Sequence, residues 1–441
     1  MQETVRKITA LRGHVFQFSG DPFCDHPAEA LTDWPDGLVV TEGGKITAVG
    51  DASELLATLP DDAVIHDHRG KFILPGFVDC HVHYPQTEVI ASYGAQLIEW
   101  LNTYTFPAEA KFGDLDYARR AADVYLQQSF ANGITSASVY CTIHPQSVDA
   151  LFEQASRYNM RIAAGKVMMD RNAPDNLLDT PQTGYDQSKA LLEKWHGNGR
   201  ALYSITPRFA PTSTPEQLEA AGALWKEHPE ALLQTHTSEN RQELEWVADL
   251  YPEHADYVGV YEHYGLLGKG CVLGHGIYLN DREKVLLHET GTSIAHCPTS
   301  NTFIGSGLFD VRGSHFTHQP IRVGLATDVG GGSSFSMLTT MRTAYEVAQL
   351  QGYSLHPVQA YYLATVGSAK TLYQEDRIGN IKVGLEADFA VLDPLSTPLI
   401  RHRMAYTDNV IEQLFIQMIL GDDRAIAATY VDGKRVYSQA G

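Results

Sequence analysis

Eight short runs of apolar and β-branched residues recur through the middle of the chain. They are FILPGFVDCHVH (72–83), GITSASVY (133–140), RIAAGKVMM (161–169), ALYSITPRF (201–209), ALLQTHTSE (231–239), GCVLGHGIY (270–278), TSIAHCPTSN (292–301) and IRVGLATDVG (321–330). Stretches of mixed polarity with helical character separate them, among them DYARRAADVYLQQSFA, TPEQLEAAGALWKEH and NDREKVLLHET. In the second of these, Thr214 is placed to N-cap a helix whose first residue is Pro215. Near-continuous apolar strands alternating with helices predict a parallel sheet covered on both faces. Eight such units predict an α/β fold, a (β/α)8 TIM-like barrel, with its active site at the C-terminal ends of the strands.

The flanks have a different texture. DGLVVTEGGKITAVG (36–50) puts a Gly-Gly turn between two strand-like runs, and GNIKVGLEADFAVLD (379–393) and AATYVDGKRVYS (427–438) read as hairpins in the same way. A small β domain built from residues 1–71 and 376–441 is expected, with the barrel, residues 72–375, inserted between its halves. The N-terminal MQETVRKITALRGHVFQF lacks the apolar stretch of a signal peptide, and no apolar run is long enough to span a bilayer. A cytoplasmic location is the expectation.

Charge narrows the partners. With 33 Lys+Arg against 53 Asp+Glu, the formal charge of -20 repels nucleic acid and anionic membranes. A small, neutral or weakly charged substrate suits the chain better. The five cysteines are scattered and never spaced CxxC, which argues against a disulfide scaffold and a cysteine-ligated structural zinc. The absence of PCxxC also excludes the base deaminases that build their site from HxE and PCxxC.

The candidate chemistry begins with His81 and His83. Two positions apart on a strand, they project from one face and can offer two imidazoles to one metal. His236 falls at the end of the fifth strand, His275 at the end of the sixth and Asp328 at the end of the eighth, so all five face one mouth of the barrel. Such a set suits zinc or ferrous iron with a position left open for water. Glu239, three residues after His236, is placed to carry protons beside a metal-bound water. His275 is read as a hydrogen-bond partner of that water in preference to a fourth imidazole ligand. Lys166, in an apolar run, raises the alternative of a carboxylated lysine bridging two metals, but its run ranks third among the strands and Glu239 already offers a proton-transfer group. His144, His263, His288 and His315 read as solvated residues of helices or loops, and His296 as a support of the seventh strand end.

With these residues in place, the sequence resembles the amidohydrolase superfamily and, within it, the guanine deaminases. PGFVDCHVH, TDVGGG and GNIKVGLEADFAVLD carry the wider resemblance; HYPQ (83–86), EWLNTYTFPAE (99–109), GKVMMDRNAP (165–174), PRFAPT (207–212), HTSEN (236–240) and HCPTSN (296–301) carry the narrower one. The resemblance implies one zinc per chain held by His81, His83, His236 and Asp328, and purine contacts from Gln86, Arg208 and Phe209 alongside His236, Glu239 and Asp328. It further implies hydrolytic deamination of guanine in purine catabolism, with Glu239, His275 and Asp328 as catalytic residues, and a homodimer. Cys80 stands where the family often has Thr, at a position expected to point away from the metal. Trp100 and Phe106 are expected as pocket-wall or core aromatics. The competing readings are an amidohydrolase acting on another heterocycle, such as cytosine, a triazine or an adenosine derivative, and a non-catalytic scaffold that retains the barrel.

Overall fold

The structure is a computed structural model that describes residues 8–93 and 97–439. All eight apolar runs contain a barrel strand: Phe77–His83, Ile134–Tyr140, Arg161–Gly165, Leu202–Pro207, Leu232–Thr237, Cys271–His275, Ser293–His296 and Val323–Leu325. They pair in parallel in this order, and the short strand Val167–Met168 adds to Leu202–Pro207. The ring closes between its first and last members, where His83 N donates to Val329 O at 2.7 Å and Asp328 N to His81 O at 3.0 Å. Buried Asp79 reinforces the closure by accepting from Thr327 N at 3.0 Å and from the Thr327 hydroxyl. The seam of the barrel thus lies beside the candidate metal residues. Helices return the chain between strands; one of them, Pro215–Glu227, begins at Thr214, whose Oγ1 accepts from Gln217 N at 3.2 Å.

Both ends of the described chain build a second, seven-stranded sheet in the order Lys434–Ser438, Ile426–Val431, Phe389–Leu392, Val64–Pro75, Thr9–Phe18, Leu31–Glu42, Lys45–Asp51. Two of its hairpins turn on residues with positive φ, Gly43-Gly44 at 57° and 77° and Asp432-Gly433 at 54° and 74°, the backbone that a tight two-residue hairpin requires. The 379–393 segment differs from its reading as a hairpin. Only Phe389–Leu392 is a strand, pairing antiparallel with Val64–Pro75. The preceding stretch satisfies its backbone elsewhere: Leu385 O accepts from Ile46 N at 2.9 Å and Ile381 O from Gln17 Nε2 at 2.7 Å.

Sheet and barrel share one apolar core, in which Phe16, Phe72 and Leu74 of the sheet join Phe77 and Phe130 of the barrel. Ion pairs pin the same junction, a buried one in which Arg200 Nη1 donates to Asp388 at 3.0 Å and a partly buried one in which Arg161 Nε donates to Glu386 at 2.9 Å. Among the described residues no helix is long and apolar enough to cross a membrane.

Candidate active site

Every residue of the first barrel strand is buried, and it delivers His81 and His83 to the mouth as its alternation demands. His83 Nε2 lies 3.1 Å from His236 Nε2, while Asp328 Oδ1 lies 3.3 Å from His81 Nε2 and 3.5 Å from His83 Nε2. Ligands held at about 2.0–2.1 Å in a tetrahedron stand roughly 3.3 Å apart, so these three spacings are those of neighbouring ligands on one small cation, and His81, His83 and His236 converge as one close group. Room for His81 depends on Gly274 in the sixth strand, where a Cβ would come within 2.6 Å of the imidazole Cε1.

The protonation states suit the same role. Burial, reinforced by neighbouring imidazoles, pushes His83 and His236 well below the usual histidine range; burial also lowers His81, against the pull of Asp328. Burial opposes charge on Asp328 too, yet the surrounding histidines hold it at about 2. Neutral imidazoles facing an ionised carboxylate are the donor state that metal binding requires. The tautomer of His236 is fixed by its Nδ1, 2.7 Å from Arg208 O, which leaves the Nε2 lone pair facing His83.

Cys297, which the sequence reading did not single out, forms a second close group with His81, His275 and Asp328. Burial drives its thiol pKa well up, so it stays protonated and is the poorer ligand.

Two of the converging residues hold left-handed backbone, His275 at φ 69° and Asp328 at φ 49°. Such conformations cost about 1–3 kcal/mol each and persist where surrounding structure over-determines them. Asp328 does not end a strand; it follows the eighth, which stops at Leu325, and the hydrogen bond to His81 O holds it in place.

Glu239 Oε2 lies 3.4 Å from His275 Nε2, and Glu239 Oε1 accepts from Ser306 Oγ at 3.0 Å. Burial lifts Glu239 to about 7. Burial works against charge on His275, but the Glu239 and Asp328 carboxylates raise it overall. Glu243 organises the HTSEN turn by accepting from the backbone N–H groups of Glu239 and Asn240 at 2.9 and 3.1 Å.

Gln86, Arg208, Phe209 and Trp100 line a pocket that opens onto His83, His236, Glu239, His275 and Asp328. Arg208 is ion-paired: its Nη1 donates to Glu109 Oε2 at 2.7 Å, and its guanidinium lies 5.6 Å from the Phe106 ring centre. Glu109, Asn301 and Ser306 were not singled out individually from sequence, although the first two fall within quoted motifs.

The remaining residues take structural places. Lys166 is buried and salt-bridged to Asp179, with Nζ also donating to Val167 O at 3.2 Å. Cys80 turns its thiol to Leu325 O at 3.1 Å. His296 ends the seventh strand against Phe309, ring centres 4.7 Å apart. His263 and His288 are exposed, whereas His315 is half-buried with its ring stacked on Phe23 at 3.8 Å, and His144 is half-buried at a helix start.

Comparison with known proteins gives the chain its family. Residues 72–436 match the amidohydrolase family model. The chain is 51% identical over 418 residues to a guanine deaminase of Escherichia coli (strain K12), covering 94% of this chain and 95% of that one. The solved structure of E. coli guanine deaminase superposes with a TM-score of 0.96 at 49% identity, over 98% of this chain and 100% of that chain. Guanine deaminase from C. acetobutylicum, solved with guanine in its active site, superposes with a TM-score of 0.86 at 28% identity, over 98% and 100% of the two chains. With its barrel, its histidine-carboxylate cluster and a family match that spans most of its length, the chain belongs to the amidohydrolase family.

Proposed function

We propose that the chain is a guanine deaminase that hydrolyses guanine at C2 to xanthine and ammonia, using one zinc per chain held by His81, His83, His236 and Asp328. The observation that carries the reading is the placement of Glu239, 3.4 Å from His275, in a pocket lined by both the metal cluster and the Gln86, Arg208 and Phe209 side chains. Zinc bound there would acidify a water and polarise it for attack.

The chain's own groups supply the rest. Asp328, ionised in the resting protein, accepts the proton that the attacking water loses. As the water oxygen bonds to C2, the electron pair of the C2–N3 double bond moves to N3, which Glu239 protonates. His275 Nε2 faces the developing tetrahedral carbon and steadies its new hydroxyl. In the collapse the C2–N bond to the amine breaks as the C2 carbonyl forms: the hydroxyl proton passes to Glu239, the amine takes the proton held by Asp328 and leaves as ammonia, and both carboxyl groups return to their starting states. Arg208 donates to the ring carbonyl and Phe209 offers an aromatic face, with His236 beside the ring. A scaffold without chemistry has no need for the strained His275 and Asp328 backbones.

The working unit we assign is the barrel, 72–375, carried by the small β domain of 1–71 and 376–441. A role in purine catabolism, a cytoplasmic location and a homodimer complete the proposal, supported by similarity to the guanine deaminases. The test is ammonia release from a panel of purines, pyrimidines and triazines. Ammonia and xanthine from guanine support the reading; turnover of cytosine, a triazine or an adenosine derivative with guanine left intact would refute it.

A further inference from the structure

Glu109 is neither part of the candidate metal cluster nor itself a lining residue of the pocket, yet it joins two lining residues that the functional reading assigns to purine contact. Its Oε2 accepts from Arg208 Nη1 at 2.7 Å and its Oε1 from Gln86 Nε2 at 3.0 Å. All three side chains are buried. We infer that Glu109 is a positioning residue that sets the pocket to select a neutral purine over an anionic one; the inference rests on the guanine reading above.

Two effects point the same way. The first is orientation. A carboxylate accepts and cannot donate, so Glu109 fixes which end of the Gln86 amide it meets. The NH2 group turns to Glu109, and the carbonyl oxygen is left facing Gly330 N at a long 3.4 Å with capacity to accept another hydrogen bond. An acceptor at this position matches a ring N–H, which a neutral guanine carries and a deprotonated purine loses.

The second effect is charge. Without Glu109 the Arg208 guanidinium would be a buried cation with no carboxylate partner, and such a group in a low-dielectric pocket attracts anions strongly. Paired with Glu109 it is electrically balanced, while its uncommitted N–H groups can still donate to a carbonyl oxygen. Arg208 therefore recognises the ring by direction more than by net charge.

The test uses the metal-loaded enzyme at one fixed pH, with guanine as substrate and two inhibitors, urate as an anionic purine and hypoxanthine as a neutral one. In Glu109→Gln we expect KM for guanine to rise roughly tenfold or more, the worth of a lost charge-assisted hydrogen bond, with kcat reduced less. Urate should inhibit this variant at least several-fold more tightly than wild type, and hypoxanthine should not. Equal shifts for both inhibitors, or no shift, would overturn the inference, because a loosened pocket has no reason to favour charge. Glu109→Asp keeps the charge but shortens the reach. It should raise KM while leaving urate inhibition at the wild-type level, and it carries the test if Glu109→Gln does not fold; an unchanged KM would overturn the inference. Wild-type turnover is measured first: failure to release ammonia from guanine sinks the functional reading, whereas an active wild type beside an indistinguishable Glu109→Gln sinks this inference alone.

Discussion

His275 Nδ1 stands 2.8 Å from the side-chain oxygen of Asn301, so the ring donates from Nδ1 and presents Nε2 to Glu239 and Asp328. The amide oxygen serves whether the ring is neutral or charged, because Nδ1 carries a proton in both states. Asn301→Ala leaves that N–H buried without a partner and frees the ring to turn. We expect kcat on guanine to fall on the order of 10–100-fold with zinc content unchanged. A variant with wild-type kcat would show that packing alone orients His275.

Glu239→Gln separates chemistry from binding. The amide keeps the size of the side chain and can still accept from Ser306, but it cannot carry a proton. The variant should retain zinc and bind guanine by calorimetry, while xanthine formation drops by about 10²–10⁴-fold, the range for a general acid-base group. A loss of only a few-fold would return the proton transfers to His275 or Asp328.

These two residues differ in how legible they are in the sequence. Glu239 could be read because it follows His236 at a fixed short distance within an apolar run. The eight strands were legible for the same reason: each is a short apolar segment, so burial and strand are written in the same residues. Asn301 and Glu109 act through partners 26 and 99 residues away, and a single polar residue on a helical segment looks like any solvated one until the fold is known. His315 misled for the converse reason, since its polar neighbours in sequence are not its neighbours in space, where Phe23 covers it. The 379–388 stretch carries a strand-like pattern, but its backbone meets the strand Lys45–Asp51 only at its first residues, through Ile46 and a single bridge at Lys45, and otherwise bonds to side chains such as Gln17, so no ladder extends along it.

Metal stoichiometry follows from where Lys166 points. It is spent on Asp179, and Asp179 is further held by Gln217 Nε2 at 2.7 Å, so the lysine is not available to bridge ions at the histidines. Elemental analysis should find about one zinc per chain in wild type and the same in Lys166→Met. The variant should instead lose stability, by about 3–5 kcal/mol in denaturant titrations, because Asp179 is left as a buried charge without its cation. Two zinc ions in wild type and one in the variant would reverse the assignment.

His296 should make the protein acid-sensitive in a way that can be isolated. The ring is fully buried, neither nitrogen has a hydrogen-bond partner among the described residues, and burial drives its pKa down to about 3. In the unfolded chain a histidine titrates near 6.5. Between these two values the unfolded state binds a proton that the folded state refuses, so stability falls as pH drops through this window and is fully present above it. The slope approaches 1.4 kcal/mol per pH unit, which amounts to roughly 2 kcal/mol between pH 7 and pH 5. His296→Leu removes the group while keeping an apolar contact to Phe309. Its packing effect is independent of pH and the remaining titrating groups are common to both proteins, so the difference between the two stabilities isolates the ring. Denaturant unfolding of metal-free wild type and variant at pH 7 and pH 5 should show the variant gaining about 2 kcal/mol relative to wild type at the lower pH. A difference that stays constant with pH would mean that the folded protein accepts a proton on His296, which a ring buried without partners should not do.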